Sequence, residues 1–313
     1  MVGTGSLGRH HARILSRLPG VELVGVHDAR PEAAEAVAGE HGTRAFPDLE
    51  PLAERVEAAV VAVPTSQHAA VGCRLLEMGC HVLVEKPIAA SLADADRLLE
   101  AAARRGRVLA VGHVEYHNPA VQALLAGGSA PRFVEVQRLG VFHTRNLDVD
   151  VILDLMIHDL QVLHALDPSP VEEVRATGVS VLSPRIDIAN VRLELGSGCV
   201  ANLTASRVSA ERVRKLRVFL PSAYLSLDYQ KQEIKSYRLV EEKGEARIVR
   251  AEVEVRPAEP LRRELEAFVG ACRGEPTPSV SGEEGRRALA TALSIVEAVR
   301  GRVGRDVVEA GER

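Results

Sequence analysis

The chain has 313 residues, 46% hydrophobic and 26% charged, with a net charge of −4, a length that suggests about two domains and a balance that excludes a disordered or fibrous protein. Its longest apolar runs, such as residues 58–63, fall far short of the ~20 residues of a membrane span, and no basic-then-apolar leader precedes the first motif. An acidic balance, 3% aromatic content and no Trp give no basis for binding nucleic acid, so the expected partners are small molecules, with no nucleic acid and no membrane.

The first third alternates short β-branched runs with Ala/Leu/Arg-rich stretches. A helix is expected over 9–18, a strand over 21–26 and a helix over 31–39, where Pro31 takes a favourable first-turn position. The apolar run 58–63 reads as a strand buried on both faces of a parallel sheet. A helix over 68–78, a strand over 81–84, a helix over 91–105 and a strand over 108–111 follow. Ser91 with Asp94 three residues later is a capping-box variant. This rhythm implies a doubly wound parallel sheet with right-handed crossovers. After about residue 115 the texture changes. A helix over 118–125 precedes a strand over 132–139, whose alternation of Phe133, Glu135, Gln137 and Leu139 reads as exposed, and then a helix over 154–166. Strands over 174–181, 188–195, 200–208, 213–220 and 224–228 imply a largely antiparallel, meandering sheet. Helices over 261–272 and 283–299 end the chain.

Cys73, Cys80, Cys199 and Cys272 are scattered, with no C-x-x-C pair, so free thiols of a reducing cytoplasm are expected and no metal site. His10 and His11 are adjacent in a helix and point in different directions, a poor chelate that reads as solvent-facing.

Gly3-Thr4-Gly5-Ser6-Leu7-Gly8 fits G-x-G-x-x-G and runs into a helix. The first Gly permits the tight turn, the second lets a pyrophosphate approach the backbone, and the third allows close helix–strand packing. The helix N-terminus offers N–H donors and partial positive charge to the phosphates. Asp28 ends the next strand about 20 residues beyond Gly8, the spacing of a carboxylate that holds the adenosine ribose hydroxyls. That carboxylate would repel a 2′-phosphate, so NAD is favoured over NADP, although Arg30 could reach a phosphate.

Glu85-Lys86-Pro87 follows a strand, at the carboxyl end where open α/β sheets place ligands. Lys86 can hold a substrate hydroxyl and exchange its proton, or form a surface pair with Glu85. In Asp154-Leu155-Met156-Ile157-His158-Asp159 the i, i+4 spacing puts Asp154 and His158 on one helical face. The pair is either a core histidine with its partner or a proton-transfer pair in which the carboxylate orients the ring.

The ordered set of G-x-G-x-x-G, Pro64-Thr65-x-x-His68, Glu85-Lys86-Pro87 and Asp154-x-x-x-His158 resembles the Gfo/Idh/MocA oxidoreductase family over nearly the whole chain. The resemblance implies a Rossmann domain over 1–115 that binds the nicotinamide cofactor. It also implies an α+β domain over 116–313 with an open sheet for substrate and a homo-oligomer interface, dimer or tetramer. It further implies that Lys86, Asp154 and His158 face the reacting carbinol. Gly3, Thr4, Gly5, Ser6, Leu7, Gly8, Asp28, Pro64, Thr65, His68, Glu85 and Lys86 would line the cofactor. The segment from Gly112 to Pro119 is similar to G-H-I-E-R-F-N-P of family members that oxidise UDP-N-acetylglucosamine at C3, with Tyr116-His117 in place of Arg-Phe. The 154–160, 199–207 and 214–217 segments resemble the same subgroup. This implies a UDP-sugar substrate held by Glu115, Tyr116, Asn118, Arg145, Arg212 and Arg214, and a 3-keto product. His158 or Lys86 would take the C3 hydroxyl proton while hydride passes to NAD⁺. The alternatives are a free sugar, an inositol or a UDP-hexuronate as substrate, or an NAD-sensing regulator without turnover. The basic group Arg207, Arg212, Arg214, Lys215 and Arg217 suits a pyrophosphate or a charged sheet edge. Strand alternation sets Arg212 and Arg214 on one face, Lys215 and Arg217 on the other.

A strand of about 5–6 residues should precede the glycine loop, yet only Met1 and Val2 do. A stub of this kind is expected to leave neighbouring backbone groups unpaired, and the natural chain is expected to start upstream.

Overall fold

The computed structural model describes residues 1–142, 149–242 and 245–311. They form two compact units, Met1–His117 with Glu259–Leu289, and Asn118–Ala258 with Ala290–Arg313. The single boundary expected near residue 115 is thus crossed again towards the end of the chain.

The first unit opens with α1 (Ser6–Leu15), β1 (Gly25–Val26), α2 (Pro31–His41), β2 (Arg44–Ala45), α3 (Leu49–Ala53) and β3 (Ala58–Val61). Then come α4 (His68–Glu77), β4 (His81–Glu85), α5 (Leu92–Arg105) and β5 (Leu109–Gly112). β1 pairs with β2, and β3 with β4 and β4 with β5, all in parallel. Val2 bridges His27 on one side and Val61 on the other. The strands therefore run β2-β1-Val2-β3-β4-β5, a doubly wound order that reverses at Val2, where such sheets bind ligands. Contrary to the expectation for so short a stub, Met1–Gly3 pairs on both sides. Val2 N–H donates to Val60 O (2.8 Å), Ala62 N–H to Val2 O (2.8 Å), Gly3 N–H to His27 O (2.8 Å) and His27 N–H to Met1 O (2.9 Å). β1 is shorter than the run 21–26 because Val24 N–H turns back to Glu22 O at 3.1 Å, which takes residues 22–24 out of the ladder. Ser91 caps α5 by accepting from Asp94 N–H at 3.1 Å, and Gly106 ends it in the left-handed region (φ 59°), where only glycine sits without strain.

The second unit begins with α6 (Pro119–Leu125) and β6 (Phe133–Leu139). A π-helical turn over Ile152–Met156 leads into α7 (Ile157–Leu166). Then follow β7 (Val171–Val179), β8 (Ile188–Leu195), β9 (Val200–Ser206), β10 (Val213–Phe219), β11 (Ala223–Asp228), β12 (Glu233–Glu242) and β13 (Glu245–Ala251). One sheet of order β13-β12-β11-β10-β6-β9-β8-β7 holds them, antiparallel throughout except for the β6–β9 pair. β6, expected to be exposed, lies in the interior of this sheet between β10 and β9. The strand alternates as anticipated, but Val134, Val136 and Arg138 are buried, and burying a row of apolar side chains is what a central strand does.

α8 (Pro260–Cys272) returns to the first unit because its apolar face, Leu265 and Phe268, joins the core of Met1, Ile14, Leu15, Val26 and Val60. α9 (Gly282–Gly311) starts in the first unit and continues into the second. Among the described residues no helix is long and apolar enough to cross a membrane.

Candidate active site

The glycine loop is shaped by three different constraints. Gly3 has φ +85°, and a Cβ there would meet Ala62 O at 2.5 Å. A Cβ on Gly8 would lie 1.9 Å from Gly3 O, so the helix can close on the loop only with glycine. A Cβ on Gly5 would meet nothing within 4 Å. The protein does not need glycine at Gly5 for its own packing, and the space it leaves open fits a pyrophosphate against the backbone. Gly5 caps α1 with no side-chain partner for the helix N–H groups, which leaves those donors facing the same space. Thr4 is buried, and Ser6 and Leu7 are exposed.

Asp28 stands beside this loop. Its Oδ2 accepts from Thr4 N–H (2.7 Å) and Thr4 Oγ1–H (3.0 Å), and its Oδ1 from Arg30 N–H (2.9 Å). Burial works to raise its pKa, but the N–H donors of Arg30 and Thr4 outweigh it and hold the carboxyl below the usual range. Asp28 is therefore ionised at neutral pH and adjacent to the cradle, as a ribose-binding carboxylate must be, while the Arg30 guanidinium is 3.6 Å from Oδ1.

The other cofactor-side residues divide by reach. Pro64 and Thr65 form the turn after β3. His68 is 1% exposed, with Nδ1 2.9 Å from Pro87 O and Nε2 2.9 Å from Val63 O. Its ring thus joins the end of the β3 segment to the Glu85-Lys86-Pro87 turn. Glu85 is also buried, with Oε1 2.6 Å from His11 Nε2 and Oε2 accepting from Lys86 N–H at 3.2 Å. Lys86 is half-buried, and its bond to Pro87 is cis. Nearby His113 is fully buried. Burial first, then the Lys86 charge, pushes it down to about 3, so it is a neutral imidazole beside an ammonium group. His117 is pushed down to about 4 by burial and by Arg263. Glu115 is buried and Tyr116 half-buried in the 114–117 turn, where the Tyr116 ring meets His117 edge-on at 5.3 Å.

His11 corrects the sequence reading: the helix turns it inward to Glu85 rather than to solvent. Together with Glu264 of α8 it was missed because nothing in its neighbourhood marks a partner so far along the chain.

In the second unit Asp154 lies in the π-helical turn and His158 in the first turn of α7. Single π turns inside helices recur at functional sites. Asp150 anchors the turn, with Oδ1 accepting from Ile186 N–H (3.0 Å) and Oδ2 from Arg300 (3.1 Å). Asp154 is half-buried and His158 buried. The neighbouring Asp159 takes both donors of Arg138 at 2.7 Å each, and both residues are buried. Arg138 also lies over the Tyr229 ring at 5.0 Å. This fork-on-carboxylate pair ties α7, and with it His158, to β6. A charged residue on the inward row of Val134 and Val136 was the available signal for it.

Of the expected substrate residues, Asn118 has its amide committed: Nδ2 donates to Tyr229 O (3.0 Å) and Oδ1 accepts from Ala120 N–H (3.0 Å). It caps α6 and braces Tyr229. Arg212 is exposed, and Arg214 is half-buried on the β10 face of Leu216 and Val218, in register with Arg138. Arg145 lies outside the described residues. Arg207 is turned inward, 3.7 Å from the buried Asp187 and donating to Val149 O, and Arg217 pairs with Glu135 across the strands at 2.7 Å. The basic group is therefore split by strand alternation, as expected, and part of it serves the fold.

Comparison with known proteins adds independent information. The family model for an oxidoreductase family with an NAD-binding Rossmann fold matches residues 1–113, and that for the GFO/IDH/MocA C-terminal domain matches residues 110–225. The chain is 38% identical over 306 residues to a UDP-N-acetylglucosamine 3-dehydrogenase of Acidithiobacillus ferrooxidans, covering 96% of both chains. A solved structure of that protein superimposes with a TM-score of 0.89 at 38% identity and 96% coverage of both chains. An inositol 2-dehydrogenase of Rubrobacter xylanophilus is 31% identical over 228 residues, 67% of this chain and 64% of its own.

Proposed function

The chain belongs to the Gfo/Idh/MocA oxidoreductase family, and on that premise we propose that it oxidises the C3 hydroxyl of UDP-N-acetylglucosamine to the 3-keto sugar nucleotide, with NAD⁺ as oxidant. The observation that carries this reading is the 38% identity, sustained over 96% of both chains, to a relative described as acting on that substrate. The open space at Gly5 and the ionised Asp28 support NAD: a 2′-phosphate would meet a carboxylate there.

When bound, NAD⁺ supplies the hydride acceptor. The chain must then hold the sugar and take the hydroxyl proton. We assign the proton to His158, with Asp154 one turn earlier orienting its ring, and a hydrogen bond to the same oxygen to Lys86. As that oxygen gains carbonyl character, a contact from Lys86 favours the transition state over the bound alcohol. Glu115, Tyr116 and Arg214 are the residues we assign to substrate contacts, and Asn118 to supporting them. Tyr116-His117, where the similar enzymes carry Arg-Phe, is the feature that favours testing inositol as a second substrate, as does the inositol dehydrogenase relative.

A homo-oligomer through the second unit's sheet is part of this proposal. Leu239 and Val240 of β12 and Ile248 and Val249 of β13 are exposed at one end of the sheet, an apolar strip of the kind that subunits cover. Free thiols at all four cysteines accord with a reducing cytoplasm.

The test is NADH formation with UDP-N-acetylglucosamine, free N-acetylglucosamine and myo-inositol in parallel, with an amine-transferring enzyme present to draw off the ketone. Turnover confined to the UDP-sugar is expected; preference for either free polyol would overturn the substrate assignment.

A further inference from the structure

Beneath the Glu85-Lys86-Pro87 turn, α1, β4 and α8 bring three ionisable side chains to one buried point. His11 is 0% exposed, Glu85 7% and Glu264 2%, and one polar atom from each lies within 4.8 Å of the other two. Nε2 of His11 is 2.6 Å from Glu85 Oε1, and the second Glu85 oxygen accepts from the Lys86 backbone N–H. Among the described residues neither carboxyl oxygen of Glu264 has a hydrogen-bond partner. Two carboxylates this close and this far from water cannot both keep a charge without a proton or a cation between them.

We propose that Glu264 carries a proton in the working enzyme and that His11, Glu85 and protonated Glu264 form a positioning set for Lys86. The proposal rests on Lys86 contacting the reacting hydroxyl. His11 donates to Glu85, and Glu85 holds the backbone N–H of the very residue whose side chain is needed next. A proton on Glu264 removes the like charge that would otherwise drive Glu85 off this anchor. A Cβ on Gly112 would lie 3.1 Å from Glu85 Oε2, so the carboxylate takes up room that only glycine on the neighbouring strand leaves without a squeeze. The elements packed on α8 carry further titratable groups: Glu115 and His117 in the 114–117 turn, and the exposed Arg9 and His10 with Arg13 on α1, of which Arg13 pairs with Glu259 just ahead of α8. α8 itself adds Arg263 and the Arg262–Glu266 pair; His117 is neutral. Burial first, then the charge of Glu85, raises the Glu264 pKa well above the ordinary carboxylate range.

The sign of the pH effect follows. Above the carboxylate's ordinary pKa the unfolded chain releases this proton while the native chain keeps it, so the parent protein loses stability as pH rises towards the native pKa. A glutamine has no proton to release. The experiment compares the parent with Glu264→Gln and Glu264→Leu. Between about pH 5 and about pH 8, the Tm advantage of Glu264→Gln over the parent is expected to widen steadily. At one pH, Glu264→Leu is expected to lose about tenfold or more in kcat with NAD⁺ affinity held within about twofold, and Glu264→Gln to recover most of that loss. A Tm difference that stays flat or narrows with pH overturns the proton assignment. A stoichiometric divalent ion in the purified protein, removed by chelator with loss of Tm, overturns it in favour of a metal. Glu264→Leu with parental kcat overturns the positioning role. The Tm comparison needs no substrate, so it stands or falls separately from the dehydrogenase reading.

Discussion

Gly5 and Gly8 sit in one motif of six residues, yet the structure assigns them opposite roles, and paired alanine substitutions separate those roles. At Gly5 the backbone is extended (φ −67°, ψ −161°), so alanine fits, and its Cβ would meet no protein atom within 4 Å. Replacing glycine at a compatible conformation stabilises by about 0.4–1 kcal/mol through the unfolded state. The loss of a preferred N-cap residue costs about as much, a few tenths to 1 kcal/mol. The two nearly cancel, and Gly5→Ala should leave the Tm of the ligand-free protein near that of the parent. Its methyl group, however, stands where the pyrophosphate approaches the N–H donors. Displacing one charge-assisted hydrogen bond costs about 1.5–3 kcal/mol, or roughly tenfold to 150-fold in Kd for NAD⁺. Gly8→Ala places its Cβ 1.9 Å from Gly3 O, a backbone clash that only loop opening relieves. About 2–3 kcal/mol of stability and NAD⁺ binding should be lost together. Calorimetric titration of NAD⁺ with thermal unfolding of the ligand-free proteins measures both quantities. Parental NAD⁺ affinity in Gly5→Ala, or parental stability in Gly8→Ala, would refute the reasoning.

Three further outcomes follow from the geometry. Lys86→Ala and His158→Ala are each expected to lower kcat by about 10²–10⁴ in steady-state assays with NAD⁺ affinity retained; near-parental turnover in either removes that residue from the chemistry. Asp159→Asn leaves a buried Arg138 guanidinium short of its counter-charge and should cost about 3–5 kcal/mol in denaturant unfolding; a loss under about 1 kcal/mol would mean the pair does not hold α7 to β6. His113 and His117 are held neutral, pushed down to about 3 and about 4. The unfolded chain binds protons at both as pH falls below the ordinary imidazole value. Stability should therefore drop by about 1.4 kcal/mol per pH unit per histidine below about pH 6.5, and a chain with both residues changed to Gln should show a shallower acid slope.

What the sequence discloses follows from how local each signal is. The glycine loop, the Ser91 cap and the Glu85-Lys86-Pro87 and Asp154-x-x-x-His158 motifs are read within a few residues, and the structure places each on the kind of element expected, except that Asp154 falls in a π-helical turn ahead of the α-helix that holds His158. The parallel strands β3, β4 and β5 announce themselves as apolar runs because both faces are covered. β13 and the second half of β12, where residues 238–241 are exposed, give no such signal for the converse reason. Residues 245–250 are exposed on both faces, so no period of two separates inside from outside. The π turn at 152–156 shares its composition with the helix it enters. The His11–Glu85–Glu264 point is invisible for a topological reason: α8 comes back to the first unit after the whole eight-stranded sheet has been built. Met1–Val2 shows the same limit, since two residues pair on both sides only through partners contributed by β1 and β3.

The central claim is hydride removal from C3 of a UDP-amino sugar by NAD⁺, and isotope transfer tests it most directly. Incubation with NAD⁺ and UDP-N-acetylglucosamine carrying deuterium at C3 should yield reduced nicotinamide bearing one deuterium, together with the 3-keto sugar nucleotide. Reduced nicotinamide free of deuterium would place the oxidation at another carbon, and no reduction at all would remove this sugar nucleotide as the substrate.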